Sequence, residues 1–334
     1  ATRLGVSATS SREGSSPIAD SISLPACSMH CFRTVSGALL VPDPRRSSPY
    51  GSKISCDLYD LGSGGVVVMG GDRKTLTPGD LYVVNNHIHH FSRLGRAYLP
   101  AVHLRDGVGN RAAHHLIHDA PHCGILYSGN DHVIEYNELH HLVLDASDAG
   151  VIYSGFDWTS RGNIIRHNFF HDIPHLPGGY TRVVYLDDAN SSTATIGNVF
   201  YRTHQSVWIG GGRDNRVENN VFIDCDEPVS MDNRGLRWTI LNPDGDLRTT
   251  RMYKKLIEIS HAEPPWSDRY PKLARLLNEN PRAPVGNTLK RTLYDRSNGR
   301  DLVVGTMTWT LFDYYGESHG WPHVISMYGQ FVRR

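Results

Sequence analysis

The chain has 334 residues, with Lys plus Arg and Asp plus Glu equal at 34 each, so its formal charge at pH 7 is zero. A neutral chain carries no net field toward nucleic acid or an anionic membrane, and neither is expected as a partner. No apolar run reaches the roughly 18 residues of a membrane helix, and five irregularly spaced cysteines (27, 31, 56, 123 and 225) argue against a disulfide framework or a structural zinc site.

Residues 1–55 are rich in Ser, Pro and Arg and are expected to form an irregular or capping segment, with Cys27 and Cys31 a chance pair. The start at Ala fits a processed form or a fragment, and no signal-peptide pattern precedes the first motif, so the compartment is left open.

From Cys56 onward a short pattern recurs: Asn, any residue, an apolar residue, then often His followed by His or an acid. It begins at positions 56, 86, 115, 137, 168, 198 and 220, with Cys56 and His115 in place of Asn in two copies. The period is therefore about 22 to 31 residues, the scale of a solenoid. A second element follows most copies: GVVVMGGD (65–72), GILYSGND (124–131), GVIYSGFD (150–157), RVVYLDD (182–188) and SVWIGGGRD (206–214). Each period thus holds at least two short β-branched or aromatic strands separated by Gly, Asn and Asp turns, with no helical segment between them. The expected fold is all-β: a parallel β-helix of about seven coils over residues 56–292. Ile88, Ile117, Leu139, Phe170, Phe200 and Phe222 would form an inward column, and the Asn residues a ladder at a turn.

Residues 237–292 change character. MYKKLIEIS (252–260) and YPKLARLLNEN (270–280) have helical spacing and imply a helical insertion near 250–282, before APVGNTLKRTL (283–293) supplies a last β turn. Residues 293–334 are aromatic, lack the coil pattern and read as an appended segment.

Aligning the second strand on Tyr127, Tyr153 and Tyr185 places Asp131, Asp157 and Asp188, with Asp187 beside it, along one edge. Asp72 and the Arg213–Asp214 pair continue the row. Neighbouring coils would space such carboxylates by about 5 Å and alternate coils by about 9.5 Å, which brackets the two geometries of glycoside hydrolysis. Asp157 and Asp188 are the leading catalytic pair, with Asp148 in reserve. Tyr153, Trp158 and Tyr185 are candidate sugar-stacking faces. Asp131, Asp187, Arg213, His122 and His171 are candidate substrate contacts. The competing reading is that Asp merely ends strands, as a favoured turn residue. His89, His118, His140 and His171 are expected to form an outward column, read as a stacked surface ladder rather than a metal site. No cofactor is expected. A lyase would need a Lys or Arg base, and residues 75–250 contain no Lys, leaving Arg161, Arg182 and Arg213.

The stretch HLIHDAPHCGILYSGNDHVIEYNELHHLVLDASDAGVIYSGFDWTSRGNIIRHNFFHDI (115–173), with VVYLDD, GNVFYR and GGGRDNRVENNVF, resembles bacterial right-handed parallel β-helix proteins. These include a glycoside hydrolase family with α-L-fucosidase and xylanase activities that uses two catalytic aspartates. PPWSDRYPKL…NENPRAPVGN (264–287) looks like its C-terminal continuation. The resemblance implies a carbohydrate partner, an oligo- or polysaccharide of plant or algal origin, and a secreted or periplasmic setting. Residues 299–331 instead resemble the end of the β/α barrel of family-two glycoside hydrolases, the β-galactosidase type. That barrel's acid/base and nucleophile regions are absent, so Glu317 is given no role.

Overall fold

The computed structural model describes residues 55–295 apart from 177, 238–240 and 243, together with the backbone of 38–40, 303–308 and 325–326. Its strands stack in parallel along three faces. The first face carries Val66–Val68, Val102–Leu104, Ile125–Tyr127, Ala149–Ser154, Thr181–Leu186, Gln205–Gly210 and Glu227–Asp232. The second runs from Tyr82–Val84 through Arg111–Ala113, Val133–Glu135, Ile164–Arg166 and Ala194–Ile196 to Arg216–Glu218. The third runs from Asp57–Tyr59 through His87–His89, Leu116–His118, Glu138–His140, Phe169–His171 and Val199–Tyr201 to Val221–Ile223. The eight-residue strand Thr288–Asp295 pairs with the last strands of both the second and third faces and joins them. Each coil therefore holds three strands rather than the two recognised in the sequence; the second-face strand is short and its polar flanks hide it.

The register explains why each coil accepts the next. Leu58, Ile88, Ile117, Leu139, Phe170, Phe200, Phe222 and Tyr294 are direct neighbours on successive third-face strands. From Phe170 onward their rings stack at centroid separations of 4.9, 4.8 and 5.3 Å. This spacing is the inter-strand distance itself, so each aromatic ring covers the one before it without leaving a void.

The bend between the second and third faces uses a residue in the left-handed region followed by a ladder residue. Asn85, His114, Tyr136, His167 and Asn219 take φ between 54° and 60°, and Gly197 takes 66°. That conformation is unfavourable for non-glycine residues, and the residue that follows offsets it. Asn86 Oδ1 accepts from Cys56 N, His115 Nδ1 from Asn86 N, Asn137 Oδ1 from His115 N, and Asn168, Asn198 and Asn220 continue the series at 2.9–3.1 Å. A buried backbone N–H at each bend is thereby satisfied from the next coil. A second ladder follows the first face, where His132 and Asn163 hold Asn110 N and His132 N, and Asn215 and Asn287 hold Thr193 N and Asn215 N.

Between the last first-face strand and Thr288–Asp295 the chain leaves the solenoid and folds into short helices: α1 (Arg251–Glu258), α2 (Trp266–Arg269) and α3 (Pro271–Ala274). Met252, Leu256, Trp266, Tyr270, Leu273 and Leu276 form their own apolar cluster against Trp158 and Ala189 of the coils. The helical segment is thus laid along the turns that follow the first face. At the ends, Ala38–Leu40 adds a parallel strand to Val66–Val68, Val303–Thr308 pairs antiparallel with Thr288–Asp295, and Ile325–Ser326 pairs antiparallel with Glu227–Asp232. The rest of the proposed capping and appended segments, Glu317 included, lies outside the described residues.

Candidate active site

The alignment of Tyr127 with Tyr153 is overturned by one residue. Leu126, not Tyr127, is the direct neighbour of Tyr153, whereas Tyr153 does pair with Tyr185 and Tyr185 with Trp208. A slip of one reverses the face. Tyr127 points inward, fully buried, with its hydroxyl 3.0 Å from Thr193 Oγ1, while Tyr153, Tyr185 and Trp208 stand in an outer row. In that row Tyr185 and Trp208 are covered by their neighbours, so Tyr185 offers no sugar-stacking face. The expected single edge of aspartates is also split in two, because Tyr153 pairs with Tyr185 and Asp188 lies three residues past that pair where Asp157 lies four.

One set lies under the helical segment. Asp131 meets Arg269 at 3.1 Å, Asp157 meets Lys255 at 3.0 Å and Arg73 at 3.8 Å, and Asp214 meets Arg161 at 3.1 Å and Lys272 at 3.3 Å. Asp157 also accepts from Thr159 N at 2.8 Å, and its side chain is 4% exposed. These carboxylates are docking points for the helices. Asp157, one of the leading catalytic pair, is buried and already paired with cations. Trp158 offers no sugar-stacking face, because it is packed into the apolar cluster beneath α1 and α2. Arg213 is buried, bonded to Glu279 O and 3.5 Å from Asp214. Asp72 caps its own hairpin, accepting from Lys74 N and Thr75 Oγ1. His171 stands on the third face, in the His column.

The other set gathers on the outer side of the first face. Asp187 and Asp188 end the strand Thr181–Leu186, and Asp148 precedes Ala149–Ser154. Asp148 and Asp188 both take positive φ, 54° and 37°, and Ala189 follows at 62°. Asp188 and Ala189 thus turn the chain at the strand end, with Ala189 entering the apolar cluster under the helical segment. Arg234, from the turn after the last first-face strand, is the hub. Its guanidinium reaches Asp187 at 2.5 Å, Asp188 at 3.1 Å and Asp232 at 2.7 Å. A Cβ at Gly210 would lie 2.8 Å from Arg234 Cζ, so glycine there makes room for the hub. The Tyr153 hydroxyl donates to Asp187 at 2.9 Å, the Tyr185 hydroxyl to Asp148 at 3.2 Å, and the Trp208 indole to Asp232 at 3.2 Å. Arg182 pairs with Asp148 at 2.7 Å and lies over the rings of Tyr185 and Trp208, at 4.2 and 4.4 Å.

The electrostatics follow from a count. Among the described residues, four carboxylates here share two guanidinium groups. Burial and the adjacent Asp187 charge push the Asp188 carboxyl up to about 7, against the pull of Arg234. Burial and Asp187 also push both tyrosine hydroxyls far up, so they act as donors. Asp187 and Asp188 lie at the base of the cluster, each largely buried, while Asp148, 69% exposed, and the half-exposed Tyr98 and Tyr180 form its rim. His122 sits beside Tyr98, ring to ring at 4.6 Å, and burial pushes its imidazole down. His122 Nδ1, Thr181 Oγ1 and Arg182 Nε are buried with no hydrogen-bond partner among the described residues. Those three atoms hold hydrogen-bonding capacity that the chain does not use.

Of the residues expected from sequence, the structure brings together Asp148, Asp187, Asp188, Tyr153, Tyr185 and, at the rim, His122. Arg234, Asp232, Trp208 and Tyr98 were missed. Trp208 and the strand leading to Asp232 were recoverable by carrying the outer row two coils further. Arg234 carries no motif of its own, and Tyr98 arrives from a loop outside the repeat.

Residues 100–239 match a protein family described as a right handed beta helix region. Comparison with curated proteins and with solved structures gave no match. Such regions are found in carbohydrate-active proteins such as pectate lyases and glycoside hydrolases. With the three parallel faces described above, the chain is an all-β, right-handed parallel β-helix.

Proposed function

We propose that the outer cluster of the first face binds an oligo- or polysaccharide and hydrolyses a glycosidic bond. Asp188 is the proton donor to the leaving oxygen, and Asp148, at the open rim, is the second carboxylate, acting as nucleophile or base. The observation that carries this reading is the Asp187–Asp188 pair on the outer side of the first face, which shares the Arg234 guanidinium and where burial and the adjacent charge push the Asp188 carboxyl up to about 7. Glycoside hydrolysis needs one carboxylic acid that keeps its proton near neutrality and another that does not. Asp187 supports the first role, because its charge, fixed by Arg234 and Tyr153, disfavours ionisation of Asp188. Tyr98 and Tyr180 supply exposed rings for a sugar face, and the exposed carboxylate of Asp148 suits hydroxyl groups. The resemblance of residues 115–173 to β-helical fucosidases and xylanases directs the first choice of substrates to α-L-fucosides and xylo-oligosaccharides of plant or algal glycans.

The test is an assay of aryl glycosides of fucose, xylose and galactose, and of reducing-end release from polysaccharides, with the wild type and the Asp188→Asn and Asp148→Asn variants. Turnover in the wild type that drops by about 10²–10⁴ in either variant is expected for loss of an acid or base. Unchanged turnover in both sinks the assignment. Binding on a glycan array without bond cleavage makes the surface a carbohydrate-binding module. Unsaturated products that absorb in the ultraviolet make the chain a lyase, with Arg182 the basic side chain nearest the rim.

A further inference from the structure

The third face carries a histidine arrangement that a plain surface ladder does not explain. His89, His118, His140 and His171 do stack, with centroids 5.1, 4.6 and 4.7 Å apart. His87, which lies outside that column, adds something different. It shares its strand and its outward direction with His89, with Ile88 buried between them. Its neighbour across the sheet is Asp57 on one side and Leu116 on the other, so its ring leans diagonally toward His118.

The tautomers of the two rings follow from their carboxylates. His87 Nδ1 is 3.0 Å from Asp57 Oδ1, and His118 Nδ1 is 2.7 Å from Asp119 Oδ2. A carboxylate only accepts, so each Nδ1 carries the hydrogen and each neutral ring has its lone pair on Nε2. Those two Nε2 atoms face each other at 2.8 Å. Two lone pairs at that distance need a cation between them, either a proton carried by one ring, which makes the contact a hydrogen bond, or a metal ion. His89 is packed against both rings, 4.2 Å from His87 and 5.1 Å from His118, and one nitrogen from each of the three lies within 4.8 Å of the others. Its Nε2 is 3.3 Å from Asp57 Oδ1 and its Nδ1 2.7 Å from His90 Nδ1, so ligation exchanges one of those contacts for the ion. Carboxylates on the far nitrogens are also how proteins commonly orient metal-bound histidines.

We propose that His87, His89 and His118 form a site for a divalent first-row transition ion, with Zn²⁺ the best match, that staples two successive coils at the third face. Imidazole nitrogens suit such ions. Tetrahedral zinc with bonds of about 2.0–2.1 Å separates its ligand atoms by about 3.3 Å, so the pair need open by only about half an ångström. The fourth position is open to water, since His87 is 38% exposed. The group Glu138, His140 and His171, further along the column, is not assigned the same role. There His171 already has a carboxylate on each nitrogen, Asp172 at 2.9 Å and Glu138 at 3.2 Å, so no pair of lone pairs is left facing.

The experiment is a titration of the full, chelator-stripped chain with Zn²⁺ in competition with a chromophoric chelator. One equivalent bound at micromolar affinity or better is expected. Affinity should fall at least about tenfold in His87→Gln and in His118→Gln and hold in His140→Gln and His171→Gln. The wild-type unfolding temperature should rise with added Zn²⁺, and that rise should vanish in His118→Gln. Absence of binding, or binding retained by the His87→Gln/His118→Gln double variant, overturns the site. Should the variants not fold, wild-type protein modified with diethylpyrocarbonate decides the matter. Peptide mass spectrometry should find His87 and His118 protected by Zn²⁺, and equal modification with and without the ion refutes the proposal.

Discussion

Asp157 and Asp188 lie in the matching turns of adjacent coils but one position out of step, since Ser154 pairs with Leu186 and Asp188 therefore matches Phe156, and their surroundings are opposite. Asp157 lies beneath α1 and is met by Lys255 and Arg73. Asp188 lies on the outer side, shares Arg234 with Asp187 and Asp232, and is forced toward its neutral form. Asp131 and Asp214 belong with Asp157, because Arg269 and Lys272 from the same helical segment reach them. Asp148 belongs with Asp188. A solenoid repeats its turns and therefore its turn residues, so chemistry cannot be read from residue type at a repeating position. What separates the two sets is which of them the helical segment covers.

The sharpest way to break this comparison is to exchange the two carboxylates for amides. Asp188→Asn is expected to cut kcat by about 10²–10⁴, whereas Asp157→Asn leaves the turnover of folded protein unchanged. Equal kinetic effects would abolish the distinction. The pH dependence adds to it. Activity that needs protonated Asp188 falls as pH rises through about 7. A carboxyl whose folded pKa lies above its unfolded value of about 3.9 stabilises the fold fully below that value, and the contribution is lost as pH rises to about 7. Urea unfolding between pH 4 and 8 should show that decline in the wild type, and Asp188→Asn should lack it.

Next in size is Arg234→Met. The guanidinium is 6% exposed and serves three carboxylates. Removing one side of a buried ion network costs about 3–5 kcal/mol, measured as a shift in the denaturation midpoint at pH 7. The loss should shrink at low pH, where the carboxylates protonate. Asp157→Ala should cost less, about 1–3 kcal/mol, since it strips Thr159 N and Lys255 of an acceptor but leaves Lys255 able to reach water. A double-mutant cycle with Lys255→Met then reports the coupling. Smallest is Lys272→Met, whose partner contact is at 3.3 Å but whose side chain is 57% exposed. Its effect should stay below about 1 kcal/mol and fade in high salt.

The inner column was legible because the Asn–x–apolar pattern recurs at every third-face strand, and stacking identical positions leaves one place for them. The Asn ladder was legible for the same reason, down to the substitution of His115, whose Nδ1 accepts as an amide oxygen does. The candidate site was half legible. Asp148, Asp187, Asp188, Tyr153 and Tyr185 were named, but the alignment that selected them placed Tyr127 on the wrong face. Tyr127 and Tyr153 are each preceded by two apolar residues and followed by Ser-Gly, so the local strings are alike. Alternation inside a strand fixes a face only once the neighbouring coil's register is known, and that register is set by packing.

Composition, period and the apolar column by themselves determined a stacked, all-β solenoid, because a short repeat can bury its apolar positions only against copies of itself. The sequence also marked out aspartates and tyrosines as the residues able to carry chemistry. Only the tertiary structure decided which of them gather into one cluster. Arg234 reaches Asp187 from 47 positions away and Lys255 reaches Asp157 from 98. Contacts at that separation decide what surrounds a carboxyl, and no local pattern records them.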